Sequence, residues 1–137
     1  QNNIPYDDLY RTVTVASLLQ REALLDSEKA KIAGVIENRL KAGMLLQIDA
    51  SVVYGVTDGQ YNVTAVYNKD LKSNSPYNLY KYKGLPPGPI CNPDITSIKA
   101  AKSPEKHDYL YYRTDEKKND GSHIFTKTYE EHLNANN

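Results

Sequence analysis

Apolar residues recur every three to four positions through the first third of the chain. Over residues 9–25, Val13, Ala16, Leu18, Leu19 and Leu25 fall at helical spacing with no Gly or Pro between them. A second stripe of Ile32, Val35, Ile36 and Leu40 predicts a helix over residues 27–42. Ser27 is its expected N-cap, Glu28 suits the positive end of its dipole, and Gly43 is its expected stop. The two helices nearly abut, which predicts a tight corner or hairpin.

The helical period then fades. In residues 44–58 the run Ser51-Val52-Val53-Tyr54 reads as a short helix capped by Asp49 or as a β-branched strand. Residues 57–92 are rich in Asn, Gly, Pro and Tyr without a period, and a loop of that length is usually functional. Gly84-Leu85-Pro86-Pro87-Gly88-Pro89-Ile90 is its stiffest part. Asn92-Pro93 predicts a helix start, with Asn as cap, running to Ser103-Pro104. The alternations Tyr109-Leu110-Tyr111-Tyr112 and His123-Ile124-Phe125 predict two strands joined by a polar hairpin loop over residues 114–122. Thr128 and Glu131 form a capping box for a short last helix. The fold class is therefore α+β, with a helical pair, a long Pro/Gly/Tyr-rich region, a short helix and a small antiparallel hairpin.

Composition narrows the function. The 137 residues suit one domain. Lys+Arg and Asp+Glu are 17 each. That balance argues against nucleic acid and against an anionic membrane surface as partners. One cysteine, Cys91, excludes an internal disulfide or a CxxC metal site, and His107, His123 and His132 lack zinc-site spacing. No apolar run approaches the ~20 residues that cross a bilayer. The start at Gln1-Asn2-Asn3 reads as a domain cut from a longer protein.

Glu22 is the sharpest chemical anomaly. Leu18, Leu19 and Leu25 stand four and three residues before it and three after it, so a helix puts all of them beside the carboxyl. Apolar neighbours desolvate a carboxyl and raise its pKa, as a general acid requires. On this pattern alone a structural Glu, paired with Arg or Lys at the stripe's edge, is favoured. Asp49 is a candidate second carboxylate or a helix cap. Cys91 reads as a passive thiol rather than a nucleophile. Tyr54, Tyr77, Tyr80, Tyr82, Tyr109, Tyr111 and Tyr112, with the amides of Gln47, Asn78 and Asn92 nearby, suit either a carbohydrate groove or a tyrosine-faced core.

These residues sit in blocks with a known pattern. The blocks are Ala16-Ser17-Leu18-Leu19-Gln20-Arg21-Glu22, Glu37-Asn38-Arg39-Leu40 and Leu46-Gln47-Ile48-Asp49-Ala50-Ser51-Val52-Val53-Tyr54-Gly55. Tyr77-Asn78-Leu79-Tyr80, the Gly84 to Ile90 loop and Leu110-Tyr111-Tyr112 follow in the same order. Over about residues 10–133 the chain resembles the MltG/YceG-like endolytic murein transglycosylases. The resemblance implies a cofactor-free catalytic domain that cuts nascent peptidoglycan strands internally and leaves 1,6-anhydro-N-acetylmuramic acid ends. It puts the catalytic glutamate on Glu22. It also implies a location on the outer face of the cytoplasmic membrane, held by an anchor and followed by a LysM-like subdomain that are both missing here, with peptidoglycan synthases or divisome proteins as further partners.

Under that reading Gln47, Asp49, Asn78 and Asn38 are expected to orient sugar groups or hold Glu22. Tyr54, Tyr80 and the loop containing Pro86 and Pro87 are expected to wall the groove, with Ser17 bonding near Glu22. Gln20 stands where some relatives have Glu, Ala50 where many have Pro, and Cys91 has no family role. The rival expectations are a hydrolytic muramidase using Asp49 or a water, and a non-catalytic glycan-binding or divisome scaffold domain.

Overall fold

The computed structural model describes residues 6–60 and 66–137, the side chains of residues 6 and 7 excepted. The Gln1-Asn2-Asn3 start and residues 61–65 of the long loop lie outside the described residues. Helix α1 covers Tyr6–Glu22, α2 Lys29–Ala42, α3 Asp49–Thr57, α4 Ile95–Lys102 and α5 Tyr129–Leu133, with strands β1 Tyr111–Thr114 and β2 His123–Thr126.

Helix α1 buries Val15, Ala16, Leu18 and Leu19 together with Thr14 and Ser17. The two hydroxyls are satisfied inside the helix, Thr14 donating to the Tyr10 carbonyl and Ser17 to the Thr14 carbonyl. The helix ends at Glu22 rather than near residue 25. Leu25 is extended (φ −106°) and leads into a 3-10 turn over Asp26–Glu28. Ser27 therefore lies inside that turn and is not the cap of α2, whose N-cap position is Glu28. Glu28 instead holds His123, accepting from its backbone N–H at 2.9 Å.

The first two helices do not form a simple hairpin. Helix α4 packs against both of them. Its Ser97, Ala100 and Ala101 are buried, and their small side chains permit the close approach. The buried ammonium of Lys29 ties the starts of α2 and α4 together, reaching Asp26 at 2.8 Å, Asp94 at 3.2 Å and the Thr96 hydroxyl at 2.7 Å. The cap of α4 is Asp94, not Asn92, because the Asp94 carboxylate accepts the Ser97 N–H at 2.9 Å. At the far end of α2, Gly43 adopts φ 69°, with Met44 N–H donating to the Arg39 carbonyl and Gly43 N–H to that of Leu40. This is a Schellman stop, as the sequence predicts.

Residues 44–58 resolve into a helix. Gln47 takes a left-handed backbone (φ 54°) and its N–H donates to the Leu79 carbonyl. Ile48 is the cap position and Asp49 the first helical residue, so the Asp49 side chain is not spent on capping. The following loop is ordered from within by Asn78, which is fully buried. Its amide donates to the Leu71 and Ser73 carbonyls and its oxygen accepts from Tyr80 N–H. The Pro-rich segment docks on α1, where Ile90 N–H donates to the Ser17 hydroxyl and the Tyr10 hydroxyl to the Pro87 carbonyl.

The chain then runs along α2 into the hairpin. Glu105 N–H donates to the Ala30 carbonyl, the Asn38 amide to the His107 and Tyr109 carbonyls, and Arg39 Nε to the Leu110 carbonyl. Tyr109 is thus held outside the strand and does not alternate with Tyr111 along it. The two strands are antiparallel, with Tyr112 opposite Phe125, and both rings pack against the main core. The predicted capping box of α5 is present, with Thr128 and Glu131 exchanging bonds.

Candidate active site

Five separated segments converge on an open cavity of about 430 Å³: the end of α1, the last turn of α2, the approach to α3, the turn at Tyr80, and the hairpin with α5. Glu22 enters from the last turn of α1. A carboxylate there faces the negative end of the helix dipole, which disfavours its charge. Leu18 and Leu19, one turn back on the same face, are fully buried. Tyr112 comes from β1, and its hydroxyl donates to Glu22 Oε1 at 2.5 Å.

Burial pushes the Glu22 carboxyl above its ordinary value, and the Asp49 charge adds to that push. The Tyr112 hydrogen bond and the charges of His123 and Arg21 oppose it without cancelling it. The result is a carboxyl inclined to hold its proton, at the wall of a solvent-open cavity. Leu25 does not share that helical face, because its backbone has left the helix. Leu18 and Leu19 of α1 and Tyr112 of the hairpin belong to one packed cluster.

Asp49 lines the same cavity from an exposed position and accepts from the Tyr80 hydroxyl at 2.5 Å. Burial and the Asp49 bond push the Tyr80 phenol far above its usual range, so it stays a donor. Gln47, Leu46, Arg39, Arg113 and His132 line the cavity as well. Arg39 is buried, donates from Nη1 to the Leu45 carbonyl at 2.7 Å, and lies 4.8 Å over the Tyr111 ring.

Of the residues singled out in the sequence, Glu22, Gln47, Asp49 and Tyr80 are brought together. Ser17, Asn38 and Asn78 are not: each is spent on backbone groups, and none lines this cavity. Tyr54 stacks against Tyr77 at 4.7 Å in a separate depression beside Gly55 and Ser75. Pro86 is buried and Pro87 anchors Tyr10, so the Pro-rich loop buttresses α1 instead of walling the cavity. Gln20 is structural too, its oxygen accepting from Asp94 N–H and the Ser97 hydroxyl. Cys91 donates to the Ser17 carbonyl, and burial raises its thiol pKa, the opposite of what a nucleophile needs. Among the described residues no three His, Cys, Asp or Glu side chains converge as a metal would require.

Arg39, Arg113 and His132 received no role from the sequence. Arg39 carried a usable signal. It falls three residues after Ile36 and seven after Ile32, so the helical period put a guanidinium on the buried face of α2. Arg113 and His132 reach the cavity only through the hairpin and α5, which no local pattern reveals.

Comparison with known proteins points to one family. The model of the YceG-like family matches residues 1–137. An endolytic murein transglycosylase of Bacillus subtilis is 44% identical over 127 residues, covering 93% of this chain and 34% of that protein. One from Streptococcus pneumoniae is 34% identical over 105 residues, covering 75% of this chain and 19% of that protein. The crystal structure of a yceG-like protein from Listeria monocytogenes superposes with a TM-score of 0.85 at 39% identity, over 93% of this chain and 40% of that one. The chain thus spans about a third of the Bacillus relative's length.

Proposed function

The chain belongs to the YceG-like family, and because it does, we propose that its cavity cleaves murein glycan strands by lytic transglycosylation, with Glu22 as the acid. One observation supports this above the others. A carboxyl with a raised pKa is fixed by Tyr112 at the wall of an open cavity large enough for sugar rings.

The chemistry follows from two proton transfers through one carboxyl. Protonated Glu22 gives its proton to the oxygen that links muramic acid to the next glucosamine, and that bond breaks. Positive charge develops at the muramic acid anomeric carbon. Glu22, now anionic, takes the proton of the same sugar's 6-hydroxyl, whose oxygen closes onto the anomeric carbon. The ring product is a 1,6-anhydro end, no water is consumed, and Glu22 returns to its starting state. Intramolecular attack supplies the high effective molarity that a free water lacks. The Asp49 charge, in the same cavity, favours both the protonated start of Glu22 and the cationic centre that follows. Gln47 and Tyr80 are the neutral groups placed to bond sugar hydroxyls or the acetamido arm.

Asp49 also supports a second reading, since a second carboxylate in the same cavity is what a hydrolytic muramidase would use to activate water. Mass spectrometry of the new strand ends separates the two. Anhydro ends are one water lighter than reducing ends. Reducing ends would replace this reading with hydrolysis, and no new ends would leave a glycan-binding domain. The substrate of such an activity lies outside the cytoplasmic membrane. No helix among the described residues is long and apolar enough to cross one.

A further inference from the structure

Two guanidinium groups share the cavity with Glu22 and Asp49, and neither has a carboxylate partner within 4 Å among the described residues. Arg39 spends Nε and Nη1 on main-chain carbonyls, which leaves its Nη2 edge without a described partner. Among the described residues Arg113 makes one hydrogen bond, from Nη1 to the His132 carbonyl at 3.2 Å. His132 stacks on Tyr111 at 5.2 Å, and its pKa is depressed by burial and then by the charges of Arg113 and Arg39. Its Nδ1 is buried without a hydrogen-bond partner among the described residues. The wall of the cavity therefore carries positive charge and unused donors. Partly buried charge left unpaired is costly, and a planar guanidinium fork matches a carboxylate in geometry as well as sign.

We propose that Arg39 and Arg113 form a subsite for a carboxylate carried by the substrate on the muramic acid next to the cleaved bond. The inference rests on the murein reading above. On a murein strand N-acetylglucosamine is neutral. Only the lactyl arm of muramic acid carries acid, either its own carboxylate where the peptide stem has been removed or a carboxylate of the stem itself. A cation is of no use to the developing oxocarbenium centre, so the arginines serve register. They seat muramic acid, and not glucosamine, on the side of Glu22 where its 6-hydroxyl closes the ring.

The test is binding of short murein oligosaccharides to the Glu22→Gln protein by calorimetry. Four ligands are compared: stem-bearing, stem-free with the lactyl carboxylate exposed, and each of these two with its carboxylates converted to amides. Amidation is expected to weaken binding about tenfold or more, the usual size of a charge-assisted hydrogen-bonded contact. In the Glu22→Gln/Arg113→Gln protein the same comparison should shrink to within about twofold. Because each ratio is taken within one preparation, partial loss of folded protein cancels. Tight binding of the stem-free form assigns the lactyl carboxylate, and tight binding of the stem-bearing form alone assigns a stem carboxylate. Equal affinity for acid and amide forms, or no binding of any form, overturns the subsite. Failure of the murein reading looks different: the native protein then cleaves none of the ligands, whatever their charge.

Discussion

Glu22 is set by opposing influences of known sign, and each can be removed alone. A general acid works while protonated, so activity falls as pH rises through its pKa. The Tyr112 hydroxyl holds that pKa down and the Asp49 charge holds it up. Tyr112→Phe should therefore move the basic limb of the kcat/KM profile to higher pH, and Asp49→Asn should move it lower. Shifts of the same sign in both variants would contradict this account of the carboxyl. The raised pKa also bears on stability. The folded protein holds the Glu22 proton more tightly than the unfolded chain, whose carboxyl titrates near the ordinary 4.5. Stability from this group is therefore full below pH ~4 and is lost as pH rises from there through the folded pKa. Glu22→Gln removes that loss. It should melt higher than the native protein at pH 7, and the two should converge near pH 4, as thermal scans at both values would show.

At the scale of elements, the site depends on α2 gripping the segment that leads into β1. Gly34 is the point of closest approach, since a Cβ there would meet the Glu105 carbonyl oxygen and stand 2.5 Å from His107 Nε2. Gly34→Ala should cost about 1–3 kcal/mol in urea unfolding, the usual range for overpacking, despite alanine's better helix propensity. An unchanged midpoint would mean that segment is free to yield. Some of this was legible in the sequence. The two long helices, the Gly43 stop, the hairpin and the α5 capping box follow from period and turn chemistry. The end of α1 does not, because no Gly or Pro marks it and Leu25 continues the apolar period after the backbone has turned. Asp94 outcompetes Asn92 as a cap because its carboxylate also meets Lys29, a contact across 65 residues. Ser17, Asn38 and Asn78 look like ligand-binding residues for the same reason they are structural. Small polar groups beside buried backbone satisfy carbonyls and amides that a loop-rich fold leaves over.

Across the whole molecule, formal neutrality hides a cavity lined by both carboxyls and guanidinium groups. The first residue of the site and the last, Glu22 and His132, are 110 positions apart, so the chemistry exists only once the hairpin has closed over α1. Everything proposed for murein depends on the proton carried by Glu22. The most direct measurement is the rate of new strand ends from Glu22→Gln beside the native protein, with circular dichroism to verify an unchanged fold. The account predicts a loss of roughly 10²–10⁴-fold or more, the contribution of a positioned general acid. A folded Glu22→Gln protein that cuts strands within about tenfold of the native rate would contradict it.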